Sequence, residues 1–551
     1  GGDFQISGNA QKWIGSGTVT SEGLAGWPMM RKSAPITSAL KGVTPYSFAY
    51  EPRIGGAGLS IEASLAGMQI DLPVPLAKSA ATVLPIRFRQ IQSTSTQDHI
   101  TFSFGNFLNA QFIRELDTDK NIESVRVLRG NVTLGTDVPI LLPERGVTAQ
   151  IRFDQFDVDS WRPFFSNHFA TTSGSVASNF IQYVPTQIAA QVLSLKIGNR
   201  TFEQVVLGLS KQGNTWRVNA EATDFSGYAE YRTPANEQNG QFYARLKRLT
   251  IPDTGGKSHI EQLLENAPPT ALPALDLVID DFELVSKKLG RLEINAVNQR
   301  AQGYLGVGTA QEWRMQKLLL TSPESQLKAT GVWTPSSANN TSRRVDVQFS
   351  FDVADSGALL SRFGQAGTLK DGKGNLQGRV AWVGSPLALH YPTLTGQLKL
   401  DMDKGQFLKI EPSGAGRFLN VLSLQSLPKL LTLDFRDIFS EGFAFDSIAG
   451  DAKVVEGILS SNNLQMKSSL ALVSIDGKVD LANETQNLRV LVLPDINAGG
   501  ASLLATLINP LVGAATYLTQ LILRRPVVAA ATREFNIDGS WREPNVVQIK
   551  K

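Results

Sequence analysis

The sequence predicts a mainly β protein made of long antiparallel strands. The clearest pattern lies at 343–353, where five apolar side chains alternate with polar ones, so that one face of the strand is apolar. The apolar residues are Val345, Val347, Phe349, Phe351 and Val353. The same alternation recurs at 59–65, 216–222, 376–382 and 398–402, and predicts a last strand at 534–541. Strands of about 8 to 10 residues would be about 26 to 33 Å long, which favours a wide sheet.

Turns and helices are predicted between these strands. The turn signals are the Gly-containing segments 212–214, 239–240, 371–374 and 476–477. Helical spacing occurs at 161–165, 178–189, 259–265, 357–363, 416–427 and near residue 510. These few short helices do not alternate regularly with strands, so the pattern is not typical of a doubly wound or TIM-barrel fold.

Composition and motifs give no indication of catalysis, and we predict no catalytic, cofactor-binding or metal-binding residues. The 53 basic and 50 acidic residues give a net charge of +3, too small to indicate a nucleic-acid partner. The absence of cysteine excludes disulfides and thiolate chemistry. The four histidines are far apart in sequence, and the acidic residues at 154–159 and 401–403 alternate with apolar ones as on the solvent face of a strand. The segment 367–374 resembles a P-loop but leads into a strand, so we interpret it as a β-turn.

A long apolar face must be covered, and the alternation allows two solutions. Two sheets can close on each other as sandwiches, or one continuous sheet can curl into a trough covered by something other than protein. Loops at 232–240 and 266–273 are possible joints between subdomains. Because the chain begins Gly-Gly with no initiator Met, we expect its own start to lie further upstream.

The segment 497–523 contains no charged residue. Asn509 and Pro510 should break a helix there, leaving about 14 residues, or about 21 Å, against a bilayer core of about 30 Å. Apolar side chains at helical spacing occupy one face of the segment: Leu503, Leu504, Leu507, Ile508, Leu511, Val512, Leu518, Leu521 and Ile522. The prediction is an amphipathic helical segment that either covers the end of the sheet or lies in a membrane interface.

Several segments carry a family resemblance. The most specific is 414–480, with Gly-Arg-Phe-Leu-Asn-Val-Leu-Ser-Leu at 416–424, Leu-Asp-Phe-Arg-Asp-Ile-Phe at 433–439 and Gly-Phe-Ala-Phe-Asp-Ser-Ile at 442–448. The segments 72–78, 157–161 and 272–277 agree with it. Over essentially its whole length the chain resembles the AsmA-like family of bridge-like lipid transfer proteins, most closely its YhdP branch.

The resemblance implies a fold and a function. The fold is a long, continuous, strongly twisted antiparallel sheet curled into an elongated groove with an apolar interior. Residues 1–410 would be a groove segment, and 411–551 the family's C-terminal region with amphipathic helices at about 501–524. The function would be phospholipid transport between the inner and outer membranes of a bacterial envelope. The expected location is the periplasm, with an inner-membrane anchor outside this chain, envelope protein partners and no nucleic acid.

Ten residues are predicted to line the groove and contact acyl chains. They are Val345, Val347, Phe349, Phe351, Val353, Leu376, Val380, Trp382, Leu398 and Leu400. Two alternatives remain open at the level of sequence. A structural or scaffolding envelope protein would bury the same residues in a closed β core, and an outer-membrane β-barrel would turn them outward.

Overall fold

The computed structural model describes most of the chain in separate stretches. These are residues 2–6, 12–26, 38–53, 56–116, 125–136, 141–169, 182–198, 200–234, 239–251, 272–300, 311–335, 343–386, 388–408, 443–469, 471–494, 532–541 and 543–549. The predicted helices at 259–265, at 416–427 and near 510 lie outside the described residues. So do all nine residues of the predicted membrane-interface helix and most of the specific part of the family resemblance.

The chain divides into two compact units, Gly1–Thr233 and Pro234–Lys551. The division falls within the loop at 232–240 that the sequence indicated as a joint. Within each unit, the strands are hydrogen-bonded into a sheet that follows the order of the sequence almost throughout. Each unit can therefore be described strand by strand along the chain.

The first unit contains fourteen described strands. They are β1 (Gly2–Ile6), β2 (Trp13–Thr20), β3 (Leu40–Arg53), β4 (Gly56–Ala63), β5 (Met68–Ile70), β6 (Ile86–Thr94), β7 (Gln97–Phe104), β8 (Leu108–Glu115), β9 (Arg126–Leu134), β10 (Gly146–Asp157), β11 (Gln187–Ile197), β12 (Arg200–Gln212), β13 (Thr215–Glu221) and β14 (Phe225–Arg232). Neighbours pair antiparallel, except that β10 is parallel to both β9 and β11. The short β5 pairs with the start of β3, so β4 pairs directly with β6.

The second unit contains fifteen described strands. They are β15 (Gln241–Ile251), β16 (Ala274–Leu284), β17 (Lys287–Arg300), β18 (Gln311–Thr321), β19 (Ser325–Pro335), β20 (Arg343–Val353), β21 (Leu369–Asp371), β22 (Gly374–Val383), β23 (Thr395–Phe407), β24 (Phe443–Val455), β25 (Ile458–Lys467), β26 (Ala471–Asp480), β27 (Thr485–Pro494), β28 (Arg533–Ser540) and β29 (Pro544–Ile549). The β15–β16 pair is parallel, and the others are antiparallel. The short β21 pairs with the end of β23, so β20 pairs directly with β22.

Three described α-helices accompany the sheets: α1 (Ser21–Gly26), α2 (Val158–Phe169) and α3 (Ser356–Arg362), with a short 3-10 turn at Tyr391–Thr393. The predicted helices at 161–165 and 357–363 are confirmed by α2 and α3. The carboxylate of Asp157 caps α2 by accepting hydrogen bonds from the backbone N–H groups of Asp159 and Ser160. Asp355 caps α3 in the same way, through the N–H of Ala358.

The prediction of a mainly β chain with long antiparallel strands and few helices is confirmed. The strand β20 has the predicted bounds, and the alternating runs at 216–222, 376–382 and 398–402 fall on β13, β22 and β23. The turn signal at 212–214 joins β12 to β13, and the segment resembling a P-loop contains the turn from β21 to β22. Alternating polarity was a reliable signal because each of these strands has one polar face.

Three local predictions are wrong. The Asp-Gly pair at 476–477 is not a turn but lies inside β26, where an added Cβ on Gly477 would come within 2.3 Å of the carbonyl oxygen of Asn487 on β27. Glycine is therefore needed for close approach of two strands. The predicted helix at 178–189 is wrong over 187–189, which begins β11, because pairing with β10 overrides helical spacing. A further strand, β29, follows the strand predicted to be last.

Candidate functional site

The predicted lining residues lie together on one face of the second unit. Residues directly opposite each other in antiparallel strands share a face of the sheet. Val347 on β20 lies opposite Val380 on β22, and Phe351 lies opposite Leu376, which in turn lies opposite Leu400 on β23. The complete set on this face is Val345, Val347, Phe349, Phe351 and Val353 from β20, Leu376, Val380 and Trp382 from β22, and Leu398 and Leu400 from β23. The structure therefore unites all ten residues in one surface, which we call the apolar face.

The apolar face continues onto strands whose contribution was missed from the sequence. Leu318 and Leu320 on β18 lie opposite Ala329 and Leu327 on β19, which lie opposite Phe349 and Phe351. Further members from β16 to β18 are Leu275, Leu277, Ile279, Leu292, Ile294, Ala296 and Met315. Irregularities in register interrupt the period of two on these strands, for example between Met315 and Leu318. Strict alternation therefore could not connect Met315 with Leu318 and Leu320, whereas the regular runs 275–279 on β16 and 292–296 on β17 were overlooked.

The opposite face of the same strands is charged and more exposed to solvent. Arg379 donates hydrogen bonds from Nε and Nη2 to the two carboxylate oxygens of Asp346, both at 2.8 Å. This carboxylate raises the pKa of Arg379 by accepting those bonds. Nearby, Asn375 donates to Asp352 at 2.6 Å and to Ser350 at 3.0 Å. The sheet is therefore amphipathic across its thickness, with ion pairs on one side and aliphatic and aromatic side chains on the other.

Two of the ten predicted lining residues are covered by protein. Val345 is 2% exposed and Trp382 is 6% exposed, and both belong to a buried cluster with Trp333, Leu394 and Val454. The indole N–H groups of Trp333 and Trp382 donate to the carbonyl oxygens of Gly384 and Ser385, which fixes both rings at this rim of the sheet. The other eight residues are only half-buried. Four of the eight also pack against neighbouring buried clusters: Val347, Val380, Leu398 and Leu400. Contact of the eight residues with lipid stays a prediction.

The same face is closed in the last strands of the unit. Val473, Val490 and Ile537 are at most 1% exposed. They belong to a larger core cluster that also contains Leu369, Phe443, Phe445, Ile448, Met466, Ala471, Ile475, Val479, Leu488, Val492 and Phe535. The α3 residue Leu360 packs against this cluster. The apolar face therefore changes from half-buried at β20–β23 to a conventional protein core at β24–β28.

The first unit has a comparable apolar surface with more aromatic residues. Phe88 on β6 lies opposite Phe102 on β7, which lies opposite Ala110 on β8. The ring of Phe48 lies over Gly15, so that an added Cβ there would come within 2.4 Å of it. The sequence pattern identified the alternation at 59–65 and, on β13, at 216–222, but it missed the aromatic residues Phe88 and Phe102 on β6 and β7.

Two of the acidic residues and one of the histidines weighed as possible ligands have other roles. Asp157 pairs with Lys196 on β11 at 3.1 Å, and Asp159 accepts a hydrogen bond from the backbone N–H of Gly198 in addition to its pair with Arg162 at 2.6 Å, so both carboxylates hold α2 in place. His390 Nδ1 lies 2.9 Å from the hydroxyl of Thr393. Within the described stretches, no group of three or more His, Asp or Glu side chains is arranged to hold a metal ion. None of the helices in these stretches is both long and apolar enough to cross a bilayer.

Fold and surface together define a class: an amphipathic β-sheet protein whose candidate binding surface is apolar. The particular family is shown by comparison. The chain belongs to the YhdP family, whose model, described as YhdP protein, matches residues 15–546. This confirms the resemblance drawn from the sequence.

One curated relative gives this family a context. The chain is 22% identical over 542 residues to the intermembrane phospholipid transporter YhdP of Escherichia coli (strain K12). The match covers 94% of this chain and 40% of the relative, so the chain spans about two fifths of the length of that protein. No solved structure matches the chain.

Proposed function

We propose that this chain carries phospholipids between the inner and outer membranes of a bacterial envelope, with acyl chains lying along the apolar face. The observation that carries the proposal is the half-buried apolar surface across β20, β22 and β23, backed by a charged face. The name of the E. coli relative supports phospholipid as the cargo and an intermembrane location. The location that we propose for the chain is therefore the periplasm.

The physical mechanism needs no directional chemistry. Removing an acyl chain from water is worth roughly 0.8 kcal/mol per CH₂, and a wall of Val, Leu and Phe provides this without binding any one carbon specifically. Weak, repeated contacts let an acyl chain slide along this apolar wall. Ion pairs such as Arg379–Asp346 keep the other face of the sheet in water. The headgroup stays hydrated because transferring a charged phosphate onto an apolar wall would cost far more. No catalytic step is part of the proposal.

The experiment is to purify the chain from a bacterial envelope without detergent and to identify bound lipid by native mass spectrometry and lipid extraction. We expect diacyl phospholipid to copurify. A scaffold with a closed core would come out free of phospholipid, and that result would overturn the proposal. The buried cluster at β24–β28 shows what such a closed core looks like, so the half-buried strands β20–β23 are the ones in question.

A further inference from the structure

A fully buried carboxylate interrupts the apolar surface of the first unit. Asp98 on β7 shares its face with Ile100 and Phe102, and its side chain is 0% exposed. It accepts hydrogen bonds from Arg114 on β8, directly opposite in register, including one from Nε at 2.9 Å. It also accepts one from Gln90 on β6 at 2.6 Å. Side chains from three neighbouring strands thus meet at one charge. It lies near the start of β7 and the end of β8, and we call this end of the strands the rim of the sheet.

This network extends to a segment that crosses the rim. Arg114 Nη1 donates to the hydroxyl of Tyr183 at 3.0 Å, and the ring of Tyr183 meets that of Phe112 edge to face, with 5.1 Å between centroids. The preceding Gln182 accepts a hydrogen bond at 3.0 Å from the backbone N–H of Val127, beside the register shift between β8 and β9.

At the other end of this segment, the N–H of Thr186 donates to the carbonyl of Val147 on β10. Residues 182–186, which we call the strap, therefore run from β8 and β9 to β10. They lie over the apolar side of the sheet, because Phe112 belongs to that side.

Stability alone does not explain an ion pair in this position. Removing a carboxylate from water is strongly unfavourable, and its attraction to a buried partner offsets this only in part. Apolar side chains of similar size in the same place often give a fold of equal or greater stability. Burial lowers the pKa of Arg114, but the hydrogen bonds to Asp98 and Tyr183 outweigh this and raise it overall, so the guanidinium stays charged. What a buried, directional network adds is a single permitted geometry for the segment it binds.

We propose that the Asp98–Arg114 pair is a clamp that holds the strap over this rim of the apolar surface and closes the rim to phospholipid entering from the side. The inference rests on the proposed lipid transport. It assigns Tyr183 the role of the contact between clamp and strap. Since Tyr183 covers Phe112, release of the strap exposes an aromatic surface that continues into the apolar surface of the first unit.

Hydrogen exchange on the full chain tests the clamp without reference to lipid. In Asp98→Asn we expect the amides of Val127 and Thr186 to exchange about tenfold faster, because a neutral amide at position 98 gives Arg114 a weaker hydrogen bond than the carboxylate does. Tyr183→Phe, which keeps the ring on Phe112 but loses the Arg114 bond, should show a smaller increase at the same amides. The matched control is Asp346→Asn, which weakens an exposed Arg–Asp pair in the second unit. It should leave the exchange rates of the Val127 and Thr186 amides unchanged.

Two results would overturn the clamp. One is unchanged exchange at Val127 and Thr186 in both variants, and the other is equally faster exchange along all of β7 and β8, which would show a general loss of sheet stability. The second arm measures the rate at which a fluorescent phospholipid moves from phosphatidylethanolamine–phosphatidylglycerol vesicles onto the chain. We expect faster loading in Asp98→Asn and Tyr183→Phe. An unchanged rate with a loosened strap would refute gating, whereas no loading by the unaltered chain would refute the transport proposal itself.

Discussion

Phe349 on β20 lies directly opposite Gly378 on β22, with Ala329 of β19 on its other side. A large aromatic side chain thus stands between two of the smallest residues on the apolar face. At Gly378 the neighbouring strand comes so close that an added Cβ would lie 2.5 Å from the carbonyl oxygen of Gln397 and 2.8 Å from Leu398 Cδ2. The position permits no side chain, and this keeps the surface beside Phe349 smooth.

The first prediction concerns that close approach. We expect Gly378→Ala to lower the free energy of unfolding by about 1 to 3 kcal/mol, because backbone atoms must move to admit the methyl group. Urea unfolding followed by tryptophan fluorescence measures this. Gly208→Ala is the matched control, since the strand position Gly208 has open space around it, and there alanine should stabilise by about 0.5 to 1 kcal/mol. Similar changes at both positions would contradict the packing argument.

The second prediction separates the two faces of β20. Phe349→Asp or Val347→Lys places a charge on the proposed acyl path and should reduce bound and transferred phospholipid severalfold, because burying a charge costs far more than a methylene gains. Asp346→Lys changes charge on the other face of the same strand and should leave lipid binding nearly unaltered. Circular dichroism confirms that each variant is folded before lipid is measured. Equal losses on both faces would refute the assignment of lipid to the apolar face.

The third prediction concerns Lys78, the last residue of the segment 72–78, which carried part of the family resemblance. Lys78 is buried, and its ammonium group donates to the carbonyl oxygens of Leu65 and Met68 at 2.7 Å and of Ser79 at 2.9 Å. Burial lowers the pKa of this ammonium group. Lys78→Met removes the ammonium donor from all three carbonyls, of which that of Leu65 keeps only the N–H of Met68. We expect a loss of about 3 kcal/mol in unfolding free energy.

The control for Lys78 is Lys41→Met. Lys41 is mostly exposed and pairs with Asp71 at the surface, so its loss should cost less than about 1 kcal/mol in the same unfolding assay. If Lys78→Met lowered the unfolding free energy no more than Lys41→Met does, the three hydrogen bonds of Lys78 would not stabilise the fold.

The fourth prediction concerns pH and the attachment of α3. Hydrogen bonds from Arg362, one of them from Nη2 at 2.9 Å, lower the pKa of the buried Glu324 below the usual glutamate value of 4.5. The native chain therefore keeps this carboxylate ionised to lower pH than the unfolded chain does. The resulting stabilisation is complete above about pH 4.5 and is lost as pH falls through the native pKa.

Glu324→Gln should accordingly be less stable than the unaltered chain by about 2 kcal/mol at neutral pH, with a difference that shrinks as pH falls below 4.5. Urea unfolding at a series of pH values measures the difference, with the exposed Glu456→Gln as the control. A difference that stayed constant over this pH range would show that the charge of Glu324 is not responsible.

The fold class followed from the sequence because polar and apolar residues must alternate along a strand that has one solvent-exposed face. The bounds of β20 and the union of ten residues on one face are consequences of that period of two. Where pairing is irregular the signal failed, as at Met315 and Leu318, since one extra residue moves every later side chain to the other face. The parallel strands β9, β10 and β11 were also not predicted, because strand direction leaves no mark on local polarity.

The sequence by itself determined that this chain is mainly β, that its strands have one apolar face and that it resembles the family to which it belongs. Only the tertiary structure decided which apolar residues protein already covers: Val345 and Trp382 are packed under other side chains, whereas Phe349 and Leu376 on the same face are half-buried. It also decided that Asp98, polar by sequence, lies on the apolar side against Arg114. The reason is that polarity along a strand selects a face, while burial and pairing depend on segments distant in sequence that only folding brings together.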